Sequence, residues 1–254
     1  MPAFFYVLNI PFDSLTFAIA AVVVFGAYII FGVTAFGAAL FTVPILSHLL
    51  PLEFVLPTCV LLDVAAALAV GGRITRDADW SELRWMIPFA IIGAVVGVTL
   101  LVNLPRRATM MALGAFLLIY ALYSLRKDGV VSLVSRGWAP LTGFIGGSMG
   151  TLLGIAAPPY AIYLARRIVD PGAYRATLSN MVIFSTTTRA LVFLAGGLML
   201  ADRLTAFVLL LPFALAGIWL GTRISKRVSR TQLLRVVSVL LMLIGASLLV
   251  RAAG

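Results

Sequence analysis

The sequence predicts an all-α polytopic membrane protein made of two inverted repeats, each a broken, re-entrant helical hairpin followed by three transmembrane helices. Three observations carry this. The 254 residues are 62% hydrophobic and only 11% charged, whereas a water-facing surface needs roughly 25% charged residues. The apolar residues come in long runs, with a mean hydropathy of +1.12, and not in the alternating segments of a membrane β-barrel. Those runs also form two sets that share a pattern.

In chain order the first set covers about 14–31, 35–50, 55–71, 84–101 and 107–125, and the second about 138–149, 151–165, 177–199, 204–222 and 232–250. That is up to ten helical segments, or about eight spans where each hairpin counts as one. Between them lie short loops that hold nearly all the charge. The segment Pro88-Phe89-Ala90-Ile91-Ile92-Gly93-Ala94-Val95-Val96-Gly97 recurs as Pro212-Phe213-Ala214-Leu215-Ala216-Gly217-Ile218-Trp219-Leu220-Gly221. The shared pattern is P-F-A-x-x-G-x-x-x-G, followed each time by a basic turn and an apolar helix. Glycines at this spacing let helix backbones approach closely in lipid; their recurrence in the same order argues for duplication. Residues 1–125 are therefore read as the first repeat and 126–254 as the second.

Loop charge sets the orientation. If each hairpin returns to its starting side, loops 73–84, 126–136, 166–175 and 223–235 share one face with three, three, three and five Lys/Arg, 14 together, against Arg106, Arg107, Arg203 and Arg251 opposite. Fully spanning hairpins would divide the same charges 10 to 8. Basic residues are retained on the cytoplasmic side, so the 14:4 division predicts inverted repeats with both termini extracytoplasmic. No Lys or Arg precedes Arg73. The first apolar run therefore lacks the basic start of a signal peptide and is expected to remain in the mature chain.

The arms 138–149 and 151–165 are too short for ~20-residue spans and are expected to turn back near mid-membrane. The predicted tips are Phe31–Gly37 and Gly146–Thr151. Irregular backbone at that depth is tolerated only inside protein or along a watery cavity, and the helix that starts there presents free N–H groups to an anion. The candidate anion-binding residues are Thr34, Gly37, Gly147, Ser148, Gly150 and Thr151. The other reading, that these glycines only turn and pack a hairpin, stands beside this one.

Asp63 and Arg189 lie within apolar runs, where an ionisable side chain is costly and marks a functional position. Arg189 is the candidate countercharge for an anion and Asp63 the candidate proton-coupling group; a static pair between them is the alternative. Gly146-x-Ser148-x-Gly150 matches a nucleophile elbow, but no strand context exists and the only histidine is His48, so an enzyme is not expected. Cys59, the single cysteine, reads as packing, and Tyr160 and Tyr163 as interface anchors or gates. No metal cluster, nucleotide fingerprint or other cofactor motif is present. The net charge of +10 reflects topology and not nucleic-acid binding.

Taken together, Gly32, Gly37 and Pro44, then Gly146, Gly147, Gly150, Gly154 and Pro158, with the duplicated Pro-to-Gly helices, resemble the sulfite exporter TauE/SafE family of the toluene sulfonate uptake permease superfamily over essentially the full length. The resemblance implies a secondary carrier in a bacterial inner membrane, moving sulfite, a sulfonate, sulfoacetate or thiosulfate by alternating access around the two tips, with a coupling proton or cation as a further partner. A carrier of another small anion, or a membrane scaffold subunit that transports nothing, are the alternatives.

Overall fold

The computed structural model describes residues 13–34, 37–69, 77–125, 134–224 and 230–253. Every regular element among them is helical: α1 (Ser14–Thr34), α2 (Ala39–Leu46), α3 (Leu52–Ala69), α4 (Trp80–Asn103), α5 (Arg106–Leu125), α6 (Ala139–Leu153), α7 (Ala157–Ala165), α8 (Pro171–Ala195), α9 (Ala201–Ile224) and α10 (Arg230–Ala253), with one 3₁₀ turn at Arg136–Trp138. Among the described residues, five stretches are long and apolar enough to cross a membrane: Ser14–Val33, Leu52–Ala69, Trp80–Asn103, Pro171–Ala195 and Ala201–Ile224. The protein is a polytopic helical membrane protein.

Local chemistry sets the helix ends. The Asp79 carboxylate caps α4 by accepting from the Ser81 and Glu82 amides at 3.0 and 3.3 Å. Asp170 caps α8 through the Ala173 amide at 2.6 Å, with Pro171 in the first turn. These caps satisfy N–H groups that have no partner within the helix. Leu104, extended ahead of Pro105, stops α4. Two hairpin breaks use glycine at positive φ, Gly37 at 94° and Gly154 at 79°, a backbone region that L side chains avoid.

The helices pack across the two halves of the chain. α4 runs parallel to α6, with Gly143 against Met86, Gly147 against Ala90, and Gly93 and Gly97 against Phe144 and Ser148. A Cβ on Gly147 would sit 2.1 Å from the Ala90 carbonyl oxygen, and one on Gly93 2.2 Å from that of Phe144. In the same way α9 runs parallel to α1: a Cβ on Gly217 would lie 2.5 Å from the Phe25 oxygen and one on Gly221 2.3 Å from that of Ile29. So the glycines of the recurring motif are where each Pro-to-Gly helix meets the long arm of the other half's hairpin. α5 and α10 run antiparallel, since Gly114 meets Leu249 while Leu117 and Leu118 meet Gly245. α3 and α8 pack against each other.

The ends of hairpin α6–α7 come together. The Val134 amide donates to the Arg166 carbonyl at 3.2 Å, and side chains from both ends reach Glu82. α6 is about 22 Å long and α7 about 14 Å at ~1.5 Å per residue, so the two ends of the pair lie side by side and the turn lies far from them. The turn, however, is not at Gly146–Thr151. Those residues lie inside α6, and the break falls at Gly154-Ile155-Ala156.

Candidate functional site

Asp63 on α3 and Arg189 on α8 each stand six residues before the end of their helix, roughly 9 Å along the axis. Tyr28, fully buried on α1, donates its hydroxyl to Asp63 Oδ1 at 2.8 Å. Arg189 is 3% exposed. Its Nε and Nη2 are buried without a hydrogen-bond partner, so the Asp63 carboxylate, held by Tyr28, does not close on them.

One wall beside Arg189 comes from the second hairpin and from α8 itself. A Cβ on Gly150 would lie 3.2 Å from Arg189 Cδ, 3.7 Å from Ser185 Oγ and 3.0 Å from Ala156 Cβ. Tyr160, on α7, donates its hydroxyl to Ser185 Oγ at 3.3 Å, and its ring occupies the space beside Gly146. The turn at Gly154–Ala156 therefore brings α6, α7 and α8 together at one guanidinium. A guanidinium offers N–H donors in a planar fork that suits an oxyanion, and one buried with free donors is costly until something accepts from them.

The predicted site residues divide accordingly. Arg189, Asp63 and Gly150 gather in the interior. Gly147, Ser148 and Thr151 do not form a tip. Their amides sit mid-helix, where they are bonded four residues back, and their outer faces serve packing. Gly147 lies on the Ala90 backbone, Ser148 Oγ donates to the Phe144 carbonyl at 2.9 Å, and Thr151 Oγ1 lies 3.0 Å from the Ala94 carbonyl. The expectation that residues 146–151 present free N–H groups is corrected on that ground. Gly37 is at the first break, as expected; Ala35, Phe36 and the Thr34 side chain lie outside the described residues. Cys59 is a buried free thiol.

Sequence reasoning passed over two residues. Tyr28 gave no signal within an apolar run. Glu82, in the first turn of α4, is 0% exposed. It accepts from Arg136 Nε at 3.0 Å, Arg167 Nε at 2.8 Å and the Tyr163 hydroxyl at 2.7 Å. Arg136 precedes α6, Tyr163 lies on α7 and Arg167 follows it, so one carboxylate gathers both ends of the second hairpin. The hydrogen bond to Glu82 and the carboxylate's charge hold Arg167 above its usual pKa. Beside it, burial pushes the Asp79 carboxyl up, but hydrogen bonds from Ser81 and the Glu82 amide outweigh this and leave it below the usual range. The Asp79 amide donates to Thr177 Oγ1 at 2.8 Å, which joins the start of α4 to α8.

The family model described as "Sulfite exporter TauE/SafE" matches residues 19–248. The chain is also similar to a "Probable inner membrane transporter protein TsaS" of Comamonas testosteroni, at 28% identity over 191 residues, covering 74% of this chain and 80% of that one. No solved structure matches it significantly.

Proposed function

The chain belongs to the sulfite exporter TauE/SafE family, and from that premise we propose that it is a secondary carrier of a small sulfur-containing anion, of the sulfite, sulfonate, sulfoacetate or thiosulfate class, bound at Arg189 and moved by alternating access. One observation carries the proposal: a buried arginine with two unpartnered nitrogens beside the turn of a hairpin whose two ends lie side by side. A structural arginine would have its donors satisfied. This one is held ready for an acceptor.

Each group has a role. Arg189 supplies the countercharge, Gly150 leaves its approach open, and Ser185 and Tyr160 offer hydroxyls. Asp63, bonded to Tyr28, is the group that exchanges a proton. The parallel packing of α4 with α6 and of α9 with α1, and the antiparallel meeting of α5 with α10, support reading the two halves as inverted repeats. In such carriers, substrate sites lie near the bilayer midplane at the repeat interface. The face carrying Glu82, Arg136 and Arg167 is then the cytoplasmic one.

The test is equilibrium binding, and uptake into proteoliposomes, of labelled sulfite, thiosulfate and sulfoacetate. Arg189→Gln is expected to abolish binding in the native and in the Asp63→Asn background. Asp63→Asn alone should keep binding but lose its pH dependence. Recovery of transport in the double variant would show a static ion pair and overturn the assignment.

A further inference from the structure

Three observations on α7 lead beyond the binding site. The first is that the two arms of the second hairpin are held differently. α6 is locked to α4 along its length by backbone-to-backbone glycine contacts, in which no side chain separates Gly143 from Met86 or Gly147 from Ala90. α7 makes no such contact with α4. Its polar ties to α4 are the Tyr163 hydroxyl and, just past its end, Arg167 Nε, both on Glu82. The second is that α7 reaches the site. Tyr160 and Tyr163 lie on successive turns, so the helix that carries one tyrosine to Glu82 carries the other to Ser185, while Ala156 at its start faces Gly150 beside Arg189. The third is that Glu82 is fully buried yet its arginine partners are not: the Arg167 side chain is 30% exposed and that of Arg136 45% exposed. A carboxylate released from these donors must be rehydrated, and the arginines are already placed to take water.

We propose that α7 is the moving arm of the second hairpin and that Glu82 is its catch: the Arg189 site opens to the arginine-rich face when Glu82 releases Tyr163 and Arg167, while α6 stays on α4. This rests on the transport reading of Arg189 but is tested without any substrate. Glu82 and its partners act here by positioning α7, not by touching the anion.

Met181 on α8 is fully buried in the same apolar cluster as Tyr160, Tyr163 and Leu164, so a thiol placed there reports lifting of α7. In a Cys59→Ala, Met181→Cys background, in the full chain reconstituted in vesicles, a membrane-impermeant maleimide is added to either face. Glu82→Gln, Arg167→Gln and Tyr163→Phe should each raise the labelling rate from the arginine-rich face by about tenfold or more, as expected for losing a hydrogen bond to a charged group. The rate from the opposite face should not change. Arg136→Gln, on the fixed arm, should raise it far less than Arg167→Gln. Equal effects of Arg136→Gln and Arg167→Gln, equal increases from both faces, or no change with Arg167→Gln and Tyr163→Phe would each overturn the catch. Failure of Arg189→Gln to affect anion binding would instead strike the transport reading and leave the labelling result standing.

Discussion

The two hairpins follow one plan but are fastened by different chemistry. In the first, α1 has 21 residues and α2 eight; in the second, α6 has 15 and α7 nine. Both turn at a positive-φ glycine, and both lay their long arm on the Pro-to-Gly helix of the other half. Near the end of α2, the Arg106 guanidinium donates Nη2 to the Ser47 carbonyl at 2.9 Å and to the Leu50 carbonyl at 3.4 Å, beside an apolar cleft lined by Ala20, Leu46, Leu50, Phe54 and Leu62. At the end of α7, the fastening is a buried carboxylate with two arginines and a tyrosine. A guanidinium on backbone carbonyls can exchange them for water at small cost, while a buried carboxylate that loses its donors cannot. The difference teaches that similar backbone geometry does not make the two ends of the molecule equivalent in energy.

The largest expected effect comes from stripping that carboxylate. Arg136→Gln with Arg167→Gln leaves Glu82 buried with only Tyr163, and should cost about 3–5 kcal/mol of stability. Glu82→Gln, which leaves two arginines free to reach water, should cost about 1–3 kcal/mol. Denaturant unfolding in detergent, followed by circular dichroism, measures both. If Glu82→Gln proves the more damaging, the buried member of the cluster has been misidentified.

Next come the glycine seams. Gly147→Val and Gly221→Val each drive a side chain into a facing carbonyl, and each should cost about 3 kcal/mol, the upper part of the range for overpacking. The same melting experiment should find the two halves similar here. A Gly147→Val protein that melts normally but loses anion binding would return residue 147 to the site and break the packing account.

The turns separate the hairpins again. Gly154→Ala meets positive-φ strain, and its Cβ would also lie 2.8 Å from Val43 Cγ2. Gly37→Ala meets the strain alone, with its nearest neighbour, Leu40 Cδ1, at 3.5 Å. Strain of about 1–2 kcal/mol is expected for both, with Gly154→Ala the worse by its clash. Equal shifts in melting temperature would mean that the second turn yields as freely as the first.

The smallest effect is at the cap that starts α4. Asp79→Ala should cost about 1 kcal/mol. Its carboxyl is depressed in the folded state, so its contribution is present above the unfolded pKa near 3.9 and is lost as pH falls through the lower folded value. The native protein and the variant should therefore begin to draw together as pH falls below about 3.9 and converge only below the folded value. A difference that persists at lower pH would mean that the cap works by packing and not by charge.

Much of this architecture was legible. The ten apolar runs match, in order, the ten helices of the described residues, because membrane helices announce themselves by length and apolarity. Asp63 and Arg189 stood out because a charge in such a run is rare. The local sequence places the second turn too early, since Gly146, Gly147 and Gly150 look like a loop when read alone; each answers to a neighbour elsewhere in the chain, Gly146 to the Tyr160 ring, Gly147 to the Ala90 backbone of α4 and Gly150 to the Arg189 side chain. The actual turn has a plainer mark, Gly154 followed shortly by Pro158-Pro159. Glu82 was hidden for a related reason. It sits where a loop rich in charge passes into a helix and reads as solvated, and its partners are 54 and 85 residues distant.

The two prolines at the start of α7 have a consequence of their own. A helix normally begins with four N–H groups lacking partners inside it, and proline has none to offer. With Pro158 and Pro159 in its first turn, α7 brings two such groups to the centre of the bundle instead of four. Fewer stranded donors hold fewer waters, and a chain of waters is the path by which protons leak. The proline pair therefore halves the unpaired donors that the start of α7 presents beside Gly150 and Arg189, and with them the demand for ordered water there.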